Sequence, residues 1–460
     1  MKLNVQIAAV ALASAMLACF GARAQTPGGV SANLRVWLRS DNGFTPASWT
    51  DGSGNANHYT QTNTSRQPFV AADYYNFNPV VDFGTSGSDA RFMVLPAGKP
   101  YSANGTSSSI FTVNLDRAVG GYGDIIGFGA TTTTASLINA NSPVLTRLGT
   151  SVVNYPYADA NPALPAVVVN KLYINDVSFT VGSAGIKYGQ NGTTGSNTQT
   201  FAAVYSRHAD GSVLGSQPEV RNGLIGEVIA YERDLSEAEK QRVRTYTAIK
   251  YGITLPHNYI ASNGSTIIWN QATNAGYNNN IAGIAKDDNG ALHQKQSRSI
   301  NNGNQVLIGT AGLANTNALN TTGLTNGQFL VWGDNGLAKS PSIVTSDLGA
   351  DVNARFASIW KVQNVGTGTV RVAWPKGLDN LKLIQSGDAV FDGGDVVTAM
   401  SAETAPINGI VYNYADVTLA DGQFFTFAAK VNAPGGVVAD LRVWLKSDNG
   451  FTPAQWNDFS

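Results

Sequence analysis

Cysteine is nearly absent. The 460 residues contain one, Cys19, which precedes every stretch that reads as a folded domain. A disulfide framework is thereby excluded, together with cysteine-based zinc sites and thiol nucleophiles. Charge is scarce as well: 13% of residues are Asp, Glu, Lys or Arg, where an ordinary domain has about 25%. The formal net charge is −1, and neither a basic patch for nucleic acid nor a long acidic tract is present. Histidine occurs only at 58, 208, 257 and 293, with no His-x-x-x-His pair for zinc. Glutamate occurs six times, and four of the six fall between 227 and 239. Carboxylate chemistry would therefore rest mainly on aspartate. No Gly-x-Ser-x-Gly elbow occurs. Gly120, Gly121 and Gly123 lack the Lys and helix of a phosphate loop and read as hairpin glycines. The apolar run Ile7–Phe20 is too short to span a membrane.

That run has another use. Lys2, the apolar stretch and Ala22-Arg23-Ala24 before Gln25 predict a cleaved export signal over residues 1–24. An alternative makes Cys19 an acylated first residue, although Met16-Leu17-Ala18 is a poor lead-in for it. Either way the mature chain is expected outside the cytoplasm, secreted or on the outer cell surface. With no disulfide, core and ladders must hold it. Hydrophobic residues make up 43% and glycine occurs 49 times. Many short strands joined by tight turns give this profile, and the length predicts two or more domains.

One phrase occurs twice. Residues 27–53 return at 434–460 with six differences, at 31, 33, 39, 48, 50 and 52. The repetition predicts one complete unit, a Pro/Gly-marked linker from 431, and the start of a second unit over 431–460. Leu34–Leu38 alternates as a strand, with Asp41-Asn42-Gly43 as its turn. Further strands are expected at 79–83, 109–115, 124–128, 136–138, 166–174, 177–181, 199–205 and 223–231, at the short intervals of an all-β sandwich. A single helix stands out near 236–250. Ser236 and Glu239 form a capping box, Val243, Tyr246 and Ile249 mark an apolar face, and Gly252 is placed for a left-handed cap.

The run Gly226-Glu227-Val228-Ile229-Ala230-Tyr231-Glu232-Arg233-Asp234-Leu235-Ser236-Glu237-Ala238-Glu239, continuing through Tyr246 to Ile253, resembles the closing strand and helix of LamG-like, concanavalin A-type jelly-roll domains. Leu34–Asp41 looks like the first strand of that fold. The resemblance covers roughly 27–255 and implies an all-β jelly-roll sandwich in which the opening strand lies beside the closing one. The copy at 441–456 then has no closing partner here, so Trp37 is expected to be buried and Trp444 not. Residues 257–430 resemble an uncharacterised β-domain that accompanies LamG-like domains in bacterial envelope proteins, and no activity is implied for it.

Candidate sites are few. Hydrolytic members of the resembled family carry Glu-x-Asp-x-Glu on one strand, because retaining hydrolysis needs two carboxylates about 5–5.5 Å apart. No such run occurs, so no catalytic residue is expected, and Glu227 reads as a strand-end hydrogen bonder. His293 reads as a surface residue. Trp37, Trp269, Trp332, Trp360 and Trp374 lie in strands and read as core. Trp49, His58, Tyr59, Tyr74 and Tyr75 sit among Asn, Asp and Gln in loop-like sequence. Exposed there, they could stack on sugar faces, and packing of the loops is the alternative. Calcium is the one cofactor considered, since it takes Asp and Asn oxygens. Asp287, Asp288 and Asn289 offer a loop for it, and Asp41 with Asn42 a second, both equally explained as turns. The expected function is an exported, non-catalytic, multi-module surface protein that binds glycan or a cell-surface protein. The alternatives are a structural spacer without its own ligand and, less well supported, a carbohydrate-active enzyme. No nucleic-acid partner and no membrane span in the mature chain are expected.

Overall fold

A computed structural model describes residues 25–72, 74–84, 91–95, 107–117, 124–128, 136–139, 167–180, 183, 185, 187–196, 212–214, 222–345, 347–349, 351–432, 434, 441–447, 451–453, 455–456 and 458. The segment 1–24, the glycines at 120–123 and the strand expected at 199–205 lie outside them.

The fold is all-β, built of antiparallel sheets, with one α-helix among the described residues, Glu237–Tyr251. The first sandwich has an inner sheet in the order Thr193–Ser196, Lys187–Gln190, Leu172–Phe179, Ser108–Asp116, Gly223–Tyr231, Val81–Asp82, Phe69–Val70. The opening strand Leu34–Arg39 joins the free flank of Gly223–Tyr231, with Trp37 opposite Ile229 and Val36 opposite Ala230. Opening and closing strands are thus neighbours. The outer sheet runs from Ser136–Asn139 to Phe44–Thr45. Leu172–Phe179 is one strand rather than two. Asn175 and Asp176 suggest a turn, but both are buried mid-strand, where Asn175 Nδ2 donates to Asn114 Oδ1 at 2.9 Å.

The second sandwich pairs a sheet centred on Asn279–Asp287, Phe329–Asp334, Trp360–Val365 and Phe424–Lys430 with one centred on Leu307–Gly309, Thr369–Pro375 and Tyr412–Thr418. Its core is aromatic: Trp360 stacks on Phe425 with centroids 5.4 Å apart, and Trp374 lies 5.1 Å from Phe427.

The helix forms a layer between the two sandwiches. Successive strand residues face opposite ways, and the facing sheets are covered on both sides. In the closing strand Ile229 and Tyr231 point to the helix core, while Val228 and Ala230 fill the first sandwich. In Phe329–Asp334, Phe329 and Val331 face the helix core, while Leu330 and Trp332 fill the second sandwich. Val243, Tyr246, Ala248, Ile249 and Tyr251 of the helix lie in one continuous core with residues of both sheets. The chain therefore stacks sheet, sheet, helix, sheet, sheet. Ser236 caps the helix, with its capping box complete, and Gly252 ends it in a left-handed turn at φ 67°. Pro27–Gly29 forms a 3-10 turn against the same helix.

Candidate functional site

The polar residues with chemical potential converge on the helix. Glu227 lies mid-strand, not at a strand end, and is wholly buried. Its carboxylate accepts from Trp37 Nε1 at 2.6 Å, Tyr246 Oη at 2.7 Å and Lys250 Nζ at 2.9 Å. Tyr246 and Lys250 are one helical turn apart and so share a face. Lys250 also donates to Asp41 Oδ1 at 2.8 Å. Desolvating such charges costs several kcal/mol each, offset by mutual attraction and by the added hydrogen bonds.

Burial alone would drive the Lys250 pKa down, but Asp41 and Glu227 raise it well above the ordinary lysine value. Burial, reinforced by Glu227, pushes Tyr246 well up. Burial pushes the Asp41 carboxyl up, yet the Lys250 ammonium holds it below the usual aspartate range. Lysine stays charged, tyrosine neutral and aspartate ionised around neutral pH.

The helix has further clamps. Arg244 forms a bidentate pair with Asp176 at 2.8 and 2.9 Å, both side chains almost fully buried, and also meets Glu237. Lys240 pairs with Asp234 and donates to Ser178 Oγ at 2.6 Å. Arg233 grips Glu239 through two bonds of 2.7 and 2.8 Å. Those bonds, together with the cap, bring the Glu239 pKa down to about 2. Glu232 pairs with Arg35 of the opening strand. Glu227, Glu237 and Glu239 thus anchor or cap the helix, and Glu232 ties the end of the closing strand to the opening one.

The turn at 75–78 completes the junction. Asn76 and Phe77 adopt φ 48° and 65°, a left-handed conformation that a bulky residue rarely takes. This aims Asn76 Nδ2 at the carbonyls of Ile249 and Lys250, at 3.2 and 3.1 Å, and at Ser297 Oγ at 2.9 Å. Asn78 Nδ2 donates to Lys250 O at 2.6 Å and Gln294 Oε1 at 3.1 Å. Helix-end carbonyls that would otherwise go unpaired are met by the first sandwich, and the same side chains reach the second. Sequence reasoning missed Asn76 and Asn78. Their only signal was asparagine beside aromatics.

The aromatic set does not form an exposed site. Trp49 and Tyr59 are fully buried cross-strand partners, and Trp49 stacks near Phe83 with centroids 6.4 Å apart. Neither ring offers a face to a sugar. Tyr75 packs half-buried on the helix core. His58 and Tyr74 are exposed, and His58 Nδ1 accepts the Asp51 N–H at 3.0 Å. The five strand tryptophans are core, as expected. His293 lies at the surface, and its Nε2 accepts the Leu324 N–H at 3.3 Å.

The calcium candidates are likewise occupied. Asp287 accepts from Ser262 N at 2.7 Å and Gly290 N at 3.0 Å. The Asn289 carbonyl accepts the Thr26 N–H at 3.3 Å, and Asp288 is half-buried beside Lys286 at 3.9 Å. Asp41 faces Lys250. Turn capping and ion pairing account for each, and no group of three His, Cys, Asp or Glu suited to a metal occurs among the described residues.

One cleft of about 220 Å³ opens on the second sandwich. Thr310, Thr322, Gln328, Thr369, Arg371 and Asp416 are among its lining. Arg371 is held by Asp416 through two bonds of 2.8 Å and lies 3.7 Å above the Tyr414 ring. A planar cation, threonine hydroxyls and an amide suit a polar ligand.

A model of a family described as a domain of unknown function, DUF8202, matches residues 239–423, from the helix through most of the second sandwich. A search of curated proteins finds no match. Domain 4 of AbnA, an extracellular arabinanase from Geobacillus stearothermophilus solved with arabinotriose, is 15% identical at TM-score 0.35, covering 47% of this chain and 99% of that one. A Trypanosoma rangeli sialidase with sialic acid is 11% identical at TM-score 0.34 over 47% of this chain and a third (33%) of that one. The botulinum neurotoxin serotype D ligand-binding domain with N-acetylneuraminic acid is 13% identical at TM-score 0.34, over 88% and 100%. Likenesses at this level bear on neither ligand nor catalysis.

Proposed function

We propose that the chain is an exported, non-catalytic surface module that acts as a rigid spacer, with the helix joining two sandwiches into one block. The observation that carries this reading is the continuous hydrophobic core that the helix shares with residues of both sandwiches. A flexible pair of domains would instead meet through a smaller, more polar interface. The LamG-like reading of 27–255 belongs to the same proposal, supported by the opening strand beside the closing strand and by the capped helix. Small-angle X-ray scattering of residues 25–432 tests rigidity. One compact body is expected, and a curve requiring two lobes free to reorient would count against the reading.

A second reading places glycan or protein binding at the cleft beside Arg371. The Arg371–Asp416 pair and the threonines set in a partly apolar lining favour it. A glycan array probed with the same chain should give hits that Arg371→Ala abolishes. Hits that survive the substitution would place binding elsewhere.

A further inference from the structure

The second copy of the opening segment is shaped for a slot that it does not fill here. In the first copy ten positions are buried: 27, 28, 30, 34, 36, 37, 38, 40, 49 and 51. All ten are identical in the second copy. The six differences fall at Ser31, Asn33, Arg39, Ser48, Thr50 and Gly52, which are exposed or half-buried. Variation is thus confined to the face that the first sandwich leaves open, and the docking face is unchanged.

The described residues of the second copy also keep the first copy's local geometry. Trp444 N donates to Asp458 Oδ1 at 2.8 Å, as Trp37 N does to Asp51 at 2.8 Å. Phe451 pairs with Trp456 as Phe44 pairs with Trp49. Thr452 Oγ1 donates to the Gln455 carbonyl at 3.1 Å, as Thr45 does to that of Ser48 at 3.1 Å. Lys446 lies 4.4 Å over the Trp444 ring, as Arg39 does over Trp37 at 4.4 Å. What differs is cover. Val36 and Leu38 are fully buried, whereas their counterparts Val443 and Leu445 are 62% and 41% exposed. Trp444 is half-buried, whereas Trp37 is buried.

We propose that residues 434–458 are a docking strand for a second copy of this block, taking there the place that 27–51 takes in its own. The receiving surface is a flank of the closing strand that presents Glu227 to the incoming tryptophan and Lys250 to the incoming aspartate. The Pro-Gly-Gly at the head of the segment docks too. A Cβ on Gly28 would sit 2.5 Å from the Arg242 carbonyl, and Gly28 N donates to Gly290 O of the second sandwich at 3.3 Å. The partner must therefore carry strand, helix and second sandwich together. This inference is independent of whether the block serves as a spacer.

In the intact chain the resident segment is favoured by its high effective concentration, so the test removes it. A chain of residues 54–460 has an open slot and a donor, and it should assemble head to tail, into rings or open filaments, since donor and slot are different surfaces. Carrying Ala230→Cys and Val443→Cys, it should form an interchain disulfide, because Val443 would take Val36's place opposite Ala230. That chain has no native cysteine to confuse the result. Val443→Asp should abolish both assembly and cross-link. Binding of a synthetic 25–53 segment without self-assembly would overturn the proposal. Should 54–460 not fold with either segment, the full chain carrying the six second-copy residues at 31, 33, 39, 48, 50 and 52 decides. It should melt within about 3 °C of the parent, as surface substitutions do. Gly52→Phe is the most demanding, with its Cβ 3.2 Å from the Trp37 ring. A drop of about 10 °C or more would show that the second sequence does not fit the slot.

Discussion

Lys250 and Glu227 are the residues on which the junction turns. Replacing Lys250 by Met leaves a wholly buried carboxylate without its cation, which costs about 3–5 kcal/mol. Urea midpoints should show that loss, and Lys250→Met combined with Glu227→Gln should recover part of it, because the wholly buried charge is then gone and only the partly exposed Asp41 has lost its cation. A double variant no more stable than the single would contradict the ionic role. Glu239 gives a pH signature. Its folded pKa is lowered to about 2, below an unfolded value of about 4.3. A depressed carboxylate contributes fully above the unfolded value, and its contribution is lost as pH falls through the folded one. Stability should therefore decline from about pH 4.3 toward about pH 2. Glu239→Gln should flatten that decline, as followed by thermal melts across the window. At this scale the sequence was least legible. Glu227 looked like a strand end because its partners lie on the helix and the opening strand. Asn76 meets partners 173 to 222 positions away, and no local pattern announces such contacts. Trp49 and Tyr59 sit in two-residue strands, too short for alternation to reveal burial.

Elements were read more easily. The capping box, the apolar face and the terminal glycine are local chemistry, and the helix has the expected ends. Ser236→Ala should cost about 1 kcal/mol through loss of the cap, as read from thermal or urea unfolding. The opening and closing strands were legible because each is a short apolar run bounded by turns. Leu172–Phe179 was not, because Asp176 breaks the apolar run in order to meet Arg244, a partner on another element. Pro27-Gly28-Gly29 looked like a linker at its second occurrence, yet the first copy is a packed turn. Gly28→Ala should destabilise the chain by at least about 1 kcal/mol, since φ is 59° and the Arg242 carbonyl blocks the added methyl. Unchanged melting would show that the turn is not a fixed contact.

The whole molecule was legible as a class and not as a block. Composition and turn spacing pointed to β-sandwiches, and the structure has them. The sequence divides the chain into two modules near 256. In the structure the helix closing the first is also covered by Asn279–Asp287 and Phe329–Asp334 of the second. Amphipathic spacing marks an apolar face but cannot say that two sheets share it. The central claim is that the core shared at the helix joins both sandwiches into one cooperative unit. Differential scanning calorimetry of residues 25–432 tests it most directly. The account predicts a single transition whose calorimetric and van't Hoff enthalpies agree, moved downward as a whole by Lys250→Met. Two resolved transitions, with the second sandwich still melting at its original temperature in that variant, would contradict it.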